Sequence, residues 1–241
     1  ANFINSILEQ LGQMIDQWDG VEVNMCILSN FNPECRVELE VSCPIGELKG
    51  VAKGVAPEDF AKRFKQAVDI SHVDIRRAVT HNKGIFNGID AVILATGNDF
   101  RAIEACGHAY AARDGEYKGL TYCNIENGIF TFGIDIPLAL GTVGGLTNLH
   151  PMAKVSLEML GHPDAAQLMK IVAAAGLAQN FGALRSLVTT GIQQGHMKMH
   201  LLNILNQLNA SKEEIKKAKA YFADKTVSFS GVRDFLAKTD T

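Results

Sequence analysis

The sequence has no Cys-X-X-Cys pair, no His-rich spacing and no marked excess of one charge. Its five cysteines stand apart, so neither a zinc site nor a dithiol redox motif is expected, and no metal ligands are assigned. The 23 Lys and Arg residues against 26 Asp and Glu residues give a net charge of −3. A slightly acidic chain lacks the concentrated basic field that nucleic-acid binding needs, so nucleic acid is not an expected partner.

Long apolar runs are also missing. The longest run, Ile171 to Ala178, falls well short of the roughly 20 residues that span a bilayer. No basic segment followed by an apolar one is visible, so neither a signal peptide nor a membrane partner is predicted. An odd number of cysteines suits a reducing compartment, and the cytoplasm is the expected location. What is present is an ordinary globular composition, 47% hydrophobic and 20% charged, which argues against disorder.

The first fifty residues mix helical and strand-like patterns. Apolar residues from Phe3 to Trp18 recur at the three- and four-residue spacing of an amphipathic helix. Two strand-like runs follow, Val21–Leu28 and Arg36–Ser42, joined by a turn-rich segment. Three closely spaced glycines after residue 45 then punctuate a loop, which is the best candidate for a domain boundary.

The pattern in the middle of the chain predicts a helix, then a strand, then a second helix. A helix begins near Pro57, because a proline followed by two acidic residues suits a first helical turn. The continuous apolar run Ile89–Ala95, bounded by glycines, is typical of a buried strand. The stretch Asp99–Arg113 then predicts a second helix.

The later part of the chain contains one strong turn signal and then becomes helical. Thr121–Ile125 and Ile129–Ile134 predict a hairpin about the Asn-Gly pair at 127 and 128. The residues after Gly145 predict helices almost throughout. Ser211 starts a capping box at the head of one of the last helices.

Four segments carry polar or glycine residues that a protein core would not select: RAVTHNKGIFNG (77–88), ATGNDFR (95–101), GTVGGLTNLHP (141–151) and GHM (195–197). Each has an ordinary structural explanation when taken singly. Lys83, in a predicted loop, suits a solvated surface group, and Asp99 suits a helix-capping carboxylate. The glycines suit a tight turn, and His196 suits a surface position. None of the four predicts a function alone.

Together the segments carry a resemblance to a known family. HNKGIFNGIDAVILATGND, followed in order by GTVGGLTNLHP, LAQNF and GHM, resembles 3-hydroxy-3-methylglutaryl-CoA (HMG-CoA) reductase along essentially the whole chain. The segments TGNDFRAIEA and HNKGI are similar to the class II, mainly bacterial, branch of that family. The separation of 16 positions between Lys83 and Asp99 fits the family's lysine–aspartate arrangement.

The resemblance implies an α+β fold in three parts. Residues 1–50 would be the C-terminal part of a small ferredoxin-like, non-Rossmann cofactor domain that binds NADPH or NADH. Residues 51–190 would form most of the large substrate-binding domain, and residues 191–241 would form a C-terminal helical flap. Family members are dimers or assemblies of dimers with the active site at the subunit interface, so a homo-oligomer is expected.

The reaction that the resemblance implies is the reduction of HMG-CoA to mevalonate and coenzyme A, or the reverse, by two hydride transfers from NADPH or NADH. Lys83 would stabilise the oxyanion that forms on the thioester carbonyl, an effect commonly worth about 3–4 kcal/mol. Asp99 would keep that lysine charged and positioned. His196 would donate a proton to the departing CoA thiolate.

Further positions carry over as binding residues. Arg77, six residues before the lysine, would pair with the free carboxylate of the substrate, a task suited to a guanidinium group. Thr80, Asn87 and Gln179 would contact the acyl part of the substrate. Asn2 would be the last residue of the family's cofactor-binding motif, which makes the pyrophosphate turn.

The sequence begins within that cofactor motif, so the family's catalytic glutamate is expected to lie upstream of the residues present. Three functions stay open. The chain is part of a working reductase whose N-terminal half comes from the same or another chain, or it is an incomplete fragment that only binds the CoA thioester. The third is a CoA-thioester transferase or lyase without a nicotinamide, against which the lack of an obvious activated Cys or Ser nucleophile argues.

Overall fold

The computed structural model of the chain describes residues 2–189, 191–223, 225 and 227–239, without the side chains of residues 2, 146, 148, 192–199, 238 and 239. Helices dominate and one small sheet accompanies them, so the predicted α+β class is confirmed. The helices are α1 (Asn2–Ile15), α2 (Pro57–Val73), α3 (Ile75–Ala95), α4 (Phe100–Ala111), α5 (Gly145–Leu149), α6 (Pro151–Met159), α7 (Ala165–Val188), α8 (Ile192–Gln207), α9 (Lys212–Tyr221) and α10 (Phe229–Thr239). The strands are β1 (Arg36–Pro44), β2 (Thr121–Glu126) and β3 (Ile129–Pro137), and a 3-10 turn spans Ile45–Leu48.

The three strands form a sheet in which β3 lies between β1 and β2. At one end of the β1–β3 pair, Leu138 donates its amide proton to the carbonyl of Cys35 at 2.8 Å. At the other end, Ile45 donates to the carbonyl of Gly128 at 2.9 Å, so the two strands run antiparallel. Alternate residues of β3 are almost fully buried and supply one face to the core: Phe130, Phe132, Ile134 and Ile136.

The hairpin predicted between β2 and β3 is confirmed. Asn127 has a φ of 51° and Gly128 a φ of 76°, which are the two left-handed positions of a tight hairpin turn. An Asn-Gly pair adopts these angles at low cost, so the turn and the register of both strands follow from local sequence.

The largest difference from the sequence prediction lies in the centre of the chain. Residues 75–95 form one continuous helix, α3, so the strand predicted for Ile89–Ala95 is wrong, as is the loop predicted to hold Lys83. Every fourth residue from Ile85 to Ile93 is fully buried, which is a helical period. A short apolar run suits a buried strand or a buried helix equally, and here the packing of α3 decides for the helix.

Two glycines allow α3 and α7 to pack very closely. A Cβ atom added to Gly88 would lie 2.4 Å from the carbonyl oxygen of Ala175, and one added to Gly176 would lie 2.8 Å from a side-chain carbon of Ile89. Neither position tolerates a side chain without movement of a neighbour. Gly88, which suggests a boundary in the sequence, is therefore a contact point inside a helix.

Among the described helices, α7 is long and apolar enough to cross a membrane, by length and composition alone. Helices in the core of a protein can have the same length and composition. Of the most apolar stretch of α7, 33% is buried. Leu168, Val172 and Ala173 are fully buried, as expected of a helix that packs in a protein core. The absence of a membrane partner stays a prediction.

The strand predicted for Val21–Leu28 is wrong, because these residues adopt no regular secondary structure. A strand needs a neighbouring strand to accept and donate its backbone hydrogen bonds. Here the amide of Val23 donates to the carboxylate of Asp16 at 3.1 Å instead. Met25 and Ile27 are 76% and 73% exposed, whereas Val23 is partly buried beside Gly12 of α1.

The chain divides into two compact units: residues 1–41, 68–122 and 131–179 in the first, and residues 42–67, 123–130 and 180–241 in the second. The first contains the buried branched residues of α3 and most of β3. The second contains an aromatic cluster in which the ring of Phe64 lies 5.1 Å from that of Phe181 and 5.4 Å from that of Phe130. The division into residues 1–50, 51–190 and 191–241 stays a prediction.

The C-terminal helices α8 to α10 surround a small apolar cluster, whose most buried members are Leu205, Ala218 and Val232. The capping box predicted at Ser211 is confirmed, because its amide donates to Glu214 Oε2 at 2.6 Å and its Oγ accepts the amide of Glu214 at 3.3 Å. The predicted helical character of the region after Gly145 is likewise confirmed.

Candidate active site

Helix α3 presents the predicted lysine and two predicted substrate contacts on one face. Thr80, Lys83 and Asn87 are spaced three and four residues apart, which places their side chains on the same side of a helix, and all three are exposed. The N-terminus of α3 is capped by Asp74, whose Oδ1 accepts the amide of Arg76 at 2.9 Å. A capped helix therefore positions these groups, with less freedom than the predicted loop would allow.

Asn82, which precedes the lysine, fixes α3 to the segment that leads into β2. The side chain of Asn82 is fully buried. Its Nδ2 donates to the carbonyl of Lys118 at 2.9 Å, and its Oδ1 accepts the amide of Leu120 at 3.0 Å. A buried amide with both ends paired has one favourable orientation, so this contact sets the rotation of α3 and directs Lys83 outward.

Arg77 is half-buried and has no acidic partner among the residues that the structure describes. Among the described residues, the hydrogen-bond contact of its guanidinium is with His81, whose Nδ1 lies 3.4 Å from Arg77 Nη2. Burial lowers the pKa of Arg77 from its ordinary value. Because a partly desolvated cation without a counterion is unfavourable, this guanidinium is suited to receive a carboxylate.

His81 lies within the first polar segment, RAVTHNKGIFNG, and the family resemblance assigns it no role. Its ring is buried, and its Nε2 is in hydrogen-bond contact with Thr121 Oγ1. Burial and the nearby cation of Arg77, with a smaller contribution from His72, lower the pKa of His81 to about 3. The ring is therefore neutral near pH 7. The contact joins residues 40 positions apart, which no local motif in the sequence indicates.

Asp99 caps α4, as the ordinary explanation of its position predicts. Its Oδ1 accepts the amide of Arg101 at 3.1 Å and that of Ala102 at 3.4 Å. The guanidinium of Arg101 donates to both carboxylate oxygens at 3.1 Å, and this contact is the main cause that lowers the pKa of Asp99. Within the described part of the chain, no carboxylate lies within 4.0 Å of the ammonium of Lys83.

The structure brings two of the four polar segments together. Asn98, one residue before Asp99, accepts the amide of Gly141 on its Oδ1 at 2.9 Å and donates from its Nδ2 to Thr96 at 3.2 Å. The glycine-rich segment is thereby attached to the turn that begins α4. Gly144 and Gly145 have φ values of 79° and 51°, so the tight-turn explanation of these glycines holds.

Gln179 is exposed near the middle of α7. A Cβ atom added to Gly88 would lie 2.8 Å from the Cβ of Gln179, so the two helices are in contact at this point. Asn87 precedes Gly88 in α3 and is also exposed. The close packing of α3 and α7 thus brings the turn of α3 that carries Asn87 next to the turn of α7 that carries Gln179.

Comparison with protein families decides what this arrangement belongs to. The sequence profile of hydroxymethylglutaryl-coenzyme A reductase matches residues 1–201. The chain belongs to this family. The resemblance that HNKG, TGND and GTVGG carry is therefore confirmed.

Two HMG-CoA reductase relatives show how much of the family's length the chain spans. It is 40% identical over 220 residues to 3-hydroxy-3-methylglutaryl-coenzyme A reductase of Archaeoglobus fulgidus. The aligned region covers 90% of this chain and 48% of the relative. The chain is 35% identical over 213 residues to the probable reductase of Borreliella burgdorferi, which covers 86% of this chain and 48% of that protein. The chain thus spans about half the length of these relatives.

Solved structures support the same family. The class II HMG-CoA reductase of Streptococcus pneumoniae, bound to NADPH in open conformations, matches with a TM-score of 0.73 and 36% identity over 100% of this chain and 58% of that one. A second structure of the reductase from this organism matches with a TM-score of 0.74 and 36% identity over 99% of this chain and 57% of that one. The fold follows that of class II reductases over the matched length.

Two positions that the reductase resemblance assigns lie outside the described side chains. Asn2 and His196 fall within α1 and α8, but the structure describes only their backbone. Their proposed contacts with the cofactor and with the CoA thiolate stay predictions. Among the described residues, no group of three or more His, Cys, Asp and Glu side chains could hold a metal ion.

Proposed function

We propose that the chain supplies the acyl-binding and oxyanion-stabilising part of an HMG-CoA reductase, which converts HMG-CoA to mevalonate and CoA or catalyses the reverse reaction. The observation that supports this most directly is the pair of cations on α3. Arg77 is half-buried without an acidic partner among the described residues, and Lys83 is exposed six residues later. The substrate needs one cation for its free carboxylate and another for its thioester oxygen.

The spacing of the two cations suits such a substrate. Six residues of helix separate Arg77 from Lys83 by about 9 Å along the axis. Both side chains are long, so together they can reach the two ends of a five-carbon acyl chain. Thr80 and Asn87 lie on the lysine-bearing face, where their hydroxyl and amide groups can bind the 3-hydroxyl group or the carbonyl of the acyl chain.

In the proposed reaction, two residues of this chain have chemical roles, Lys83 and His196. Two molecules of NADPH or NADH supply the two hydrides. Lys83 stabilises the oxyanion on the former thioester carbon, the C–S bond breaks as this oxyanion collapses to an aldehyde, and the CoA thiolate takes a proton from His196. After the second hydride, a solvent-derived proton completes the alcohol. The balance is HMG-CoA, two reduced nicotinamides and two protons giving mevalonate, CoA and two oxidised nicotinamides.

Asp99 must change partners to support Lys83. Its ion pair with Arg101 is exposed, with 53% of the Asp99 side chain and 77% of the Arg101 side chain accessible. An exposed pair of this kind contributes about 0–1 kcal/mol, so the carboxylate can be released at low cost when the rest of the site assembles. Asp99 then keeps Lys83 protonated and directed at the carbonyl oxygen.

Among the described residues, the N-terminal end of α1 is an element that fits the nicotinamide cofactor. Backbone amides at the start of a 14-residue helix suit a pyrophosphate, and Asn2 stands at this end. The NADPH bound by the Streptococcus pneumoniae relative supports nicotinamide use. The proposal includes NADH and NADPH equally.

A homo-oligomer forms part of the proposal. Helix α1 and the residues after it expose large apolar side chains, among them Phe3 at 78% and Trp18 at 64%. Exposed apolar side chains in this number are typical of surfaces that another polypeptide covers. Light scattering should therefore give a mass at least twice that of one chain, and a monomer would contradict this part of the proposal.

The test of the proposed function is oxidation of NADPH or NADH on addition of HMG-CoA. The assay uses the chain alone and the chain mixed with a second polypeptide, which comprises the residues that the Archaeoglobus fulgidus relative has outside the matched segment. HMG-CoA-dependent oxidation supports a reductase. Calorimetric binding of HMG-CoA without oxidation in either sample favours a fragment that only binds the thioester. Turnover without a nicotinamide favours a transferase or lyase.

A further inference from the structure

His81 lies between the guanidinium of Arg77 and the first residue of β2. Its Nδ1 is 3.4 Å from Arg77 Nη2, and its Nε2 is in hydrogen-bond contact with Thr121 Oγ1. The side chain is 1% exposed. His72 reaches the same residue of β2, because its Nε2 lies 2.8 Å from the carbonyl oxygen of Thr121.

The chemistry of these groups fixes the position of the proton on the ring. A guanidinium group has donors and no acceptor, so the Nδ1 that faces Arg77 must accept. An accepting Nδ1 carries no proton, and the proton of the neutral ring is therefore on Nε2. The Nε2–H group then donates to the hydroxyl oxygen of Thr121.

The ring also lies close to the backbone that precedes β2. A Cβ atom added to Gly119 would lie 3.4 Å from His81 Cδ2, so the backbone before β2 passes close to this edge of the imidazole. A ring flip would exchange Cδ2 with Nδ1 and break the contact with Arg77. The two hydrogen-bond contacts therefore favour the observed orientation of the ring.

We propose that His81, as the Nε2–H tautomer, is a positioning residue that fixes the orientation in which Arg77 binds the free carboxylate of the substrate. The inference rests on the proposed function, because it assigns Arg77 the acyl carboxylate. Two-point binding of a carboxylate requires the guanidinium plane to be set in advance. His81 provides this by connecting Arg77, on a helix, to Thr121, on a strand.

The tautomer can be measured without any enzymatic activity. Nitrogen-15 NMR of the histidine side chains in the full chain should show the His81 signals of an Nε2–H tautomer, assigned by their loss in His81→Asn. Arg77→Met should introduce the Nδ1–H form, because Nδ1 then loses its donor. Arg76→Met is the matched control, since Arg76 is the exposed neighbour, and it should leave the tautomer unchanged. An Nδ1–H tautomer in the unsubstituted chain would overturn the proposal.

The positioning role predicts a loss that depends on the substrate carboxylate. In the active protein, His81→Leu should raise the KM for HMG-CoA about 10- to 100-fold, the range expected for one hydrogen bond to a charged group. His81→Asn, whose Oδ1 can replace Nδ1 as acceptor, should recover part of this loss. With 3-hydroxy-3-methylbutyryl-CoA, which lacks the free carboxylate, His81→Leu and the unsubstituted protein should have similar KM values. Equal losses with both substrates would show a merely structural role.

A second pair of variants covers failure of His81→Leu to fold. Thr121→Val removes the partner of Nε2 and should raise the KM for HMG-CoA selectively, whereas Thr121→Ser keeps the hydroxyl group and should not. If the unsubstituted protein does not act on HMG-CoA, the proposed function fails while the tautomer still reports the contact of His81 with Arg77. Calorimetric titration with HMG-CoA then decides the positioning role: equal affinity of the unsubstituted chain and Thr121→Val would overturn it.

Discussion

Gly88 of α3 faces Ala175 of α7 so closely that an added Cβ atom would lie 2.4 Å from the Ala175 carbonyl oxygen. This contact connects the helix that holds Lys83 with the helix that holds Gln179. Backbone cannot retreat as a flexible side chain can, so substitution at Gly88 must separate the two helices.

Gly88→Ala should therefore destabilise the protein by about 1–3 kcal/mol, the usual cost of overpacking a core. The matched control is Gly182→Ala, also within α7, where an added Cβ atom meets nothing within 4 Å. That change should stabilise the helix by about 0.5–1 kcal/mol, because alanine has the higher helix propensity. Urea unfolding measures both, and a tolerated Gly88→Ala would contradict the close packing.

The two buried hydrogen bonds of Asn82 predict a second effect on stability. Asn82→Ala removes both hydrogen bonds to the segment before β2 and leaves the Leu120 amide and the Lys118 carbonyl without their partner. The expected loss is about 1–3 kcal/mol in urea unfolding. Asn5→Ala is the comparison, since Asn5 contacts the exposed Glu9 at 3.3 Å and its loss should change the free energy of unfolding very little. Similar losses in the free energy of unfolding for the two variants would show that the Asn82 hydrogen bonds do not hold α3 to the segment before β2.

Asp90 of α3 should make stability depend on pH. Burial, aided by the carboxylate of Glu104, raises the pKa of Asp90 from 3.8 to about 6. Between pH 4 and pH 6 the unfolded chain loses this proton while the folded chain keeps it, so the free energy of unfolding falls as the pH rises. The cost is complete above pH 6 and absent below the unfolded pKa.

Asp90→Asn removes this cost at neutral pH. The variant should match the unsubstituted protein near pH 4 and exceed it by about 1 kcal/mol near pH 7, because partial exposure reduces the full value of the shift. Urea unfolding at the two pH values measures the difference. A stability difference that stays constant with pH would show that the carboxyl group of Asp90 is not perturbed in the folded state.

Arg77 and Arg76 provide a matched pair for substrate binding. Arg77 is half-buried beside His81, whereas Arg76 is exposed. Arg77→Ala should weaken HMG-CoA binding about 10- to 100-fold, as expected for a lost charged hydrogen bond, and Arg76→Ala should weaken it far less. Calorimetric titration measures both affinities. Equal effects would mean that general positive charge, and not an oriented guanidinium, attracts the substrate.

Sequence reasoning succeeded where the signal is local. Asp99 and Ser211 are side chains that pair with backbone amides two or three residues away, so the starts of α4 and α9 can be predicted. The hairpin at Asn127 and Gly128 depends on two φ values. The strand prediction for Ile89–Ala95 failed because that run is equally compatible with a strand and a helix. The close approach of α7 decides between them, and this is not a local property of the sequence.

The candidate site divides in the same way. Lys83 and Arg77 could be named because their motif is contiguous in the sequence. Their environment could not be predicted, because the contact of His81 with Thr121 joins residues 40 positions apart and that of Asn98 with Gly141 joins residues 43 apart. Such contacts depend on the packed fold, which a single sequence does not display.

The proposed role of Lys83 is to stabilise the oxyanion that forms on the thioester carbon. Its most direct test is the rate of HMG-CoA-dependent NADPH or NADH oxidation by Lys83→Ala, with Lys170→Ala, an exposed lysine of α7, as the control. Lys83→Ala should fold normally and lose at least about 100-fold in kcat, as expected when an oxyanion-stabilising group is removed, and Lys170→Ala should keep the normal rate. A Lys83→Ala protein with a near-normal kcat would show that Lys83 does not stabilise the oxyanion.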